Sequence, residues 1–180
     1  MKTPFVELPL KTDDGEFTTR YSETGLTELS FPITSRRRRR GDESQNSINS
    51  IESDRDSSRR LLQIKIRGWH RLTEAALKAI LAGRQPNKFP PLDLAGTAFQ
   101  KSVWHALRKI PVGRTKSYGE IAQAIGRPKA VRAVGGACGA NPVPVLVPCH
   151  RVLAVNGKIG GFSCGLERKR RLLAREGVKI

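Results

Sequence analysis

The sequence predicts a mixed α/β (α+β) chain in two parts, and three observations predict it. A β-type alternation, GEFTTRYSETGLTELSFP, fills Gly15 to Pro32. Helical runs opened by capping signatures dominate the later half. Between them lies a proline-rich connection, RQPNKFPPLDLAG. That connection places a boundary that divides the chain into residues 1–92 and 93–180.

In the first part, SETG reads as the turn of a hairpin. Ser35 to Arg60 is nearly devoid of apolar residues and rich in Ser, Asp and Arg, which reads as a mobile linker or loop over 35–60. Its five consecutive arginines, Arg36 to Arg40, fit a nuclear-localisation patch, a nucleic-acid arm or a solvated charge run neutralised by nearby acids. Trp69 to Ala82 predicts a helix with Leu72, Ala76, Leu77, Ile80 and Leu81 on one face, ended by Gly83.

In the second part, Thr97 with Gln100 forms a capping box. Phe99, Val103, Leu107 and Ile110 recur at helical spacing with Trp104 beside them, and His105 falls off that stripe toward the surface. A second box, Ser117 with Glu120, opens a short helix ended by Gly126, and Pro128 suits the first turn of the next. Two short helices across a glycine turn suggest a helix-turn-helix. On the second of them, Val131, Val134 and Cys138 should face the core, while Arg132, Gly136 and Gly139, with Gly135 close by, take another face. Glycine inside a helix costs roughly 1 kcal/mol relative to alanine. Such a face therefore needs a reason, either packing within the protein or close approach of another backbone such as nucleic acid.

VPVLV, Val143 to Val147, is β-rich, but Pro142, Pro144 and Pro148 make it an edge strand or an irregular segment. Cys149 and His150 follow it directly. Neighbouring side chains of an extended segment point to opposite faces, so this pair works as nucleophile and base only in a special geometry. Free cysteine is mostly thiol at neutral pH, and His150, Arg151 and the basic surroundings would favour the thiolate. A third group should orient the base. Glu176 stands out, because a carboxylate at the negative end of the helix LERKRRLLAREG is unfavourable by up to ~1 kcal/mol. Pairing with His150 would account for it.

The net charge is +17, and residues 61–180 carry all of it, with 22 Lys/Arg against 5 Asp/Glu. Such an excess suits a polyanion such as nucleic acid, although a basic domain without that partner has the same composition. Three cysteines and no apolar h-region in Met1 to Leu10 point to free thiols in a reducing compartment.

PCHRV at 148–152 resembles the active-site signature of the O6-alkylguanine-DNA alkyltransferases, also called methylated-DNA–protein-cysteine methyltransferases. GTAFQKSVWHALRKIPVGRTKSYGEIA, AVRAVGGACGANPVPVLVPCHRV, NGKIGGFS and LLAREG resemble that family in the same order, over about residues 94–177. The N-terminal hairpin and the helix near Leu77 resemble its N-terminal domain more loosely.

The resemblance implies a ribonuclease H-like N-terminal domain and a winged-helix-like alkyltransferase domain with a helix-turn-helix. It implies a DNA repair protein that takes the alkyl group, mainly methyl, from O6-alkylguanine and also O4-alkylthymine onto its own cysteine. That step would be single and irreversible and would follow minor-groove binding and base flipping. Cys149 would be the acceptor, His150 the base acting through a water, and Glu176 its polarising partner. Asn141 would order the turn, and Tyr118 would donate to the departing guanine ring. Arg132 would fill the duplex, with Ala130, Gly135, Gly136, Thr115, Ser117 and Arg151 completing the DNA contact. Val152, Pro144, Phe162, Ser163 and Cys164 would form the base pocket.

No cofactor is expected, nor a structural zinc, since the N-terminal region has no cysteine. The implied partner is duplex DNA carrying the lesion, bound by a monomer with no obligate protein partner and no membrane, in the bacterial cytoplasm with the nucleoid or in a nucleus. Two features depart from the family. Cys164 stands where a second glycine is common, which bears on bulky alkyl groups, and Phe162 replaces a common tyrosine. Two other readings compete: a lesion binder without transfer, from which the presence of Cys149 separates this chain, and a cysteine hydrolase, which would turn over.

Overall fold

A computed structural model describes residues 5–32 and 56–180. The structure is mixed α/β. It opens with β1 (Val6–Thr12), β2 (Gly15–Tyr21) and β3 (Leu26–Ser30), an antiparallel sheet in that order. The hairpin predicted around SETG is β2–β3. The strand β1 was not predicted. Its signal is the turn at Asp13–Asp14 followed by Gly15, whose φ of +109° suits glycine. Pro9 lies within β1, and only an edge strand tolerates it there. Leu10, Phe17, Tyr21, Leu26 and Leu29 point from the sheet into the core.

The helix predicted from Trp69 begins instead at Asp56, and α1 runs to Leu81. Residues 56–60 are therefore helical, a correction to the linker expected over 35–60. Residues 33–55, with the arginine run, lie outside the described residues. The missed half of α1 continues the apolar spacing backwards through Trp69, Ile66 and Leu62. Gly68 interrupts that pattern without breaking it, since a Cβ there would meet nothing.

Both capping boxes form. Thr97 opens α2 (Ala98–Arg108) with Gln100, and Ser117 opens α3 (Tyr118–Ala124) with Glu120. The last of this trio, α4, spans Val131–Gly139 and starts later than the Pro128 expected, because Ala130 N–H still closes a tight turn on the Arg127 carbonyl. Val131 is 40% exposed and does not face the core. Ala137 takes its place beside Val134 and Cys138. The indole of Trp104 donates to the Ala137 carbonyl at 2.9 Å and so pins α4 against α2.

Residues 142–148 are irregular, which settles the open choice at VPVLV. Val145 has a φ of +75°, unusual for a β-branched residue, and full burial holds it there. The segment leads into a 3-10 turn, Cys149–Arg151, and then β5 (Val152–Leu153). This two-residue strand pairs in parallel with β4 (Lys116–Ser117), which sets the start of α3 beside that turn. The last helix, α5, is Leu166–Arg175 with Glu176 as its C-cap.

One continuous core joins the two halves, with Phe17, Tyr21 and Leu77 from the first and Trp104, Leu107 and Val147 from the second. Leu29 N–H donates to the Pro142 carbonyl, and residues Pro91–Asp93 bond to Leu26. Gly83, at the end of α1, has a φ of +69°, and a Cβ there would lie 2.0 Å from the Arg175 carbonyl oxygen. Only glycine lets the end of α1 meet the end of α5 next to Glu176.

Candidate functional site

The turn that carries Cys149 is tied by one side chain. Asn141 Nδ2 donates to the Val147 carbonyl at 2.7 Å and to the Cys149 sulfur at 3.1 Å, while its Oδ1 accepts from Val143 N–H. The strand-like segment therefore folds back on itself. Cys149 sits at the start of the 3-10 turn, 4% exposed, on the wall of a cavity of about 200 Å³. Tyr118, Gly135, Cys138, Gly139, Gly161, Phe162 and Ser163 complete that wall. The Tyr118 hydroxyl donates to the Gly161 carbonyl at 3.4 Å.

Behind the turn, His150 and Glu176 are buried and meet at 2.9 Å, Nε2 to Oε1. Arg151 closes on the same carboxylate, with Nε 2.9 Å from Oε2 and Nη2 2.9 Å from Oε1, and Gly113 N–H adds a bond to Oε2. Arg151 Nη1 also donates to the Ile110 carbonyl at the end of α2. Burial alone would raise the Glu176 carboxyl, but the hydrogen bonds from His150 and Arg151, with the Arg151 charge, outweigh it and bring it down to about 2. Burial pushes His150 the other way, below its ordinary value. The imidazole is therefore neutral, and Arg151 is the counter-charge of Glu176. A carboxylate can only accept, so Nε2 carries the proton and Nδ1 keeps its lone pair. Among the described residues Nδ1 has no hydrogen-bond partner despite its burial.

Burial also pushes the Cys149 thiol up to about 11, against the lowering effect of the Asn141 bond. Burial thus opposes the deprotonation that His150, Arg151 and the basic surroundings were expected to favour. Arg151 is spent on Glu176, and the resting residue is a thiol.

The sequence-derived residues divide by place. Cys149, His150, Glu176, Asn141 and Tyr118 come together as one cluster. Phe162 and Ser163 line the cavity, whereas Val152, Pro144 and Cys164 are not on its wall. The Val152 carbonyl instead accepts from Lys169 Nζ at 2.6 Å. Arg151, expected at a DNA surface, is 3% exposed and cannot reach one. Arg132 is exposed on α4, Thr115 and Ala130 are half-buried, and the Ser117 hydroxyl is held in its cap. Gly136 and Gly139 are open, with nothing within 4 Å of a built Cβ, and Gly135 has only the Tyr118 ring at 4.0 Å. The glycine face thus serves no packing within the described residues. Arg114, Lys116, Arg127 and Lys129 stand exposed around α3 and α4.

Lys169, Cys138 and Gly139 belong to the site and were not assigned to it from the sequence, whereas Gly161 lies in the loop from Gly160 that was expected to line the base pocket. Lys169 had a signal: it falls on the apolar face of α5 with Leu172 and Leu173, an unusual place for an ammonium. No group of three or more His, Cys, Asp or Glu side chains among the described residues could hold a metal ion, and no helix is long and apolar enough to cross a membrane.

Residues 98–178 match the model of the 6-O-methylguanine DNA methyltransferase, DNA binding domain. The chain is 52% identical over 101 residues to a methylated-DNA–protein-cysteine methyltransferase of Methanosarcina acetivorans, covering 65% of that protein. It is 56% identical over 86 residues to the bifunctional transcriptional activator/DNA repair enzyme Ada of Escherichia coli, covering 24% of it. The matched segment is therefore less than two thirds of these relatives. Among solved structures, Mycobacterium tuberculosis OGT in complex with DNA superposes with a TM-score of 0.69 at 35% identity, over 94% of this chain and 91% of that one.

The buried thiol makes a pH prediction. Deprotonation of Cys149 should continue until about pH 11, so alkylation of the native protein by iodoacetamide at that residue should rise about tenfold per pH unit up to there. Mass-spectrometric rates at Cys149 check this, and a plateau near pH 8–9, the ordinary thiol range, would contradict it.

Proposed function

We propose that this chain, which belongs to the 6-O-methylguanine DNA methyltransferase family, transfers the alkyl group of O6-alkylguanine in DNA to the sulfur of its own Cys149. The observation that carries the reading is the relay: a cavity-facing thiol, tied by Asn141, beside a buried neutral imidazole whose far nitrogen is held by Glu176. All these residues lie inside the segment matched by the family model.

In this reading the substrate base occupies the cavity, with Tyr118, Phe162 and Ser163 around it. A water passes the Cys149 proton to His150 Nδ1, the one ring nitrogen left free. Glu176, with its charge already balanced by Arg151, stabilises the imidazolium that forms. The thiolate attacks the alkyl carbon, the carbon–oxygen bond breaks, and the electron pair stays on the guanine oxygen. Tyr118 gives its proton to the ring as it leaves and recovers one through solvent from the imidazolium, so guanine is restored and His150 returns to neutral. The thioether has no leaving group to reverse the step, so each molecule acts once. O4-alkylthymine, which presents the same alkyl–oxygen bond, is a second substrate.

A base inside a duplex cannot reach a sulfur this deeply placed, so the lesion is flipped out. We assign α3 and α4 to the minor groove of duplex DNA. The exposed basic residues around them meet phosphates, and Thr115, Ser117, Ala130, Gly135 and Gly136 face the backbone. Arg132 fills the space the base leaves. The open glycine face supports this, because side chains there would hold the groove away. We read the N-terminal three strands and α1 as a ribonuclease H-like module and place its boundary at 92/93.

After incubation with DNA containing O6-methylguanine, intact-mass analysis should show one methyl group per molecule, mapped to Cys149. Transfer surviving in C149A, or several methyl groups per chain, would sink the assignment. For Arg132, paired single-turnover rates on duplex DNA and on the free modified base separate flipping from chemistry. R132A should slow the duplex reaction at least tenfold while leaving the free base within about twofold, and R132K should restore the duplex rate only partly. Equal losses on both substrates would remove Arg132 from the flipping role.

A further inference from the structure

Lys169 is fully buried, and among the described residues no carboxylate pairs with it. A buried ammonium without an acid is unfavourable unless its protons are well placed. Two of them are. Nζ donates to the Val152 carbonyl at 2.6 Å and to the Gly161 carbonyl at 3.1 Å. Val152 follows the Cys149–Arg151 turn, and Gly161 is on the wall of the cavity, where it also accepts from Tyr118. One side chain of α5 thus holds together the turn that carries the sulfur and the loop that closes over it.

The second observation is electrostatic. The titratable groups that feel Lys169 are Cys149, Cys138 and His150. Its charge favours the thiolate of Cys149, and it is the cation that acts there, since Arg151 is committed to Glu176. Burial lowers Lys169 to about 8, so it is charged in neutral solution.

We propose that Lys169 is a positioning residue for the transfer reaction, clamping the Val152 carbonyl, next to the turn that carries the sulfur, to the Gly161 carbonyl of the cavity wall and supplying the positive field under which the Cys149 thiolate forms. This rests on the reading of Cys149 as the acceptor. The proton balance is unchanged: Lys169 keeps its protons, and the Cys149 proton still goes to His150. Without Lys169 two carbonyls lose their donor and the loop around Gly161 loosens. The sulfur then meets its proton acceptor without a neighbouring cation.

The test uses the full chain and two readouts. The first is the pH dependence of Cys149 alkylation by iodoacetamide, which involves no DNA. Below about pH 8, where Lys169 is charged, K169M should lower the alkylation rate about tenfold or more at a given pH, which displaces that limb of the titration by about one unit or more. K169R, which keeps the charge, should restore the wild-type titration. K169Q, which keeps a donor for the carbonyls, replaces K169M if methionine prevents folding as judged by circular dichroism. The second readout is the single-turnover rate on O6-methylguanine DNA, which should fall at least tenfold in K169M and recover in part in K169R. A folded K169M or K169Q whose Cys149 titrates as in wild type would overturn the proposal. If wild type shows no transfer while the titration shift is present, the reading of the function fails and the role of Lys169 at the thiol stands.

Discussion

The site depends on one buried carboxylate. Glu176 has no exposed side-chain surface and accepts from His150, from Arg151 and from a backbone amide. A lone buried carboxylate would be neutralised by protonation, and here the guanidinium prevents that. The arrangement makes three distant pieces of chain interdependent: the end of α5, the turn after residue 148, and the end of α2, reached through the bond of Arg151 to Ile110. Removing a single partner from such a pair typically costs about 3–5 kcal/mol, because the other charge is left unbalanced. The end of α1 presses on the same place through Gly83, so the N-terminal half helps fix a residue of the C-terminal half.

The carboxylate also decides the state of the reactive groups. With Arg151 holding its charge and burial opposing an imidazolium, His150 is a neutral base with one nitrogen fixed and one free. Cys149 remains a thiol until something in the cavity makes its deprotonation favourable. In the proposed reading, in which each molecule reacts once, this protects the acceptor, since a permanently exposed thiolate would be lost to other electrophiles. The reactivity is therefore conditional, because burial at the sulfur outweighs the groups that favour its deprotonation.

Much of this could be read from the sequence, for identifiable reasons. Capping boxes at Thr97 and Ser117 and the stripe through Val103 and Leu107 are local signals, and local signals predicted α2 and α3. Glu176 was legible because it violates a local rule, a carboxylate at a helix C-terminus, and such violations mark partners elsewhere. The glycines of α4 were legible for the same reason. What failed was what depends on the fold. Arg151 looked like a surface cation, yet its destination is a carboxylate 25 residues away in sequence. Val131 keeps the helical spacing of a core residue but lies on the exposed side of α4, where Ala137 fits better. Neighbouring charges were read as favouring deprotonation of Cys149, and burial acts against them. Lys169 was passed over among the basic residues of α5, though its place in the apolar stripe set it apart.

The central claim, that Glu176 and Arg151 hold His150 neutral with its proton on Nε2, is tested most directly by nitrogen-15 NMR of the His150 ring in the resting protein. At pH 7 the ring should be neutral, with Nε2 protonated and Nδ1 bare. An imidazolium at pH 7, or a proton on Nδ1, would contradict the account.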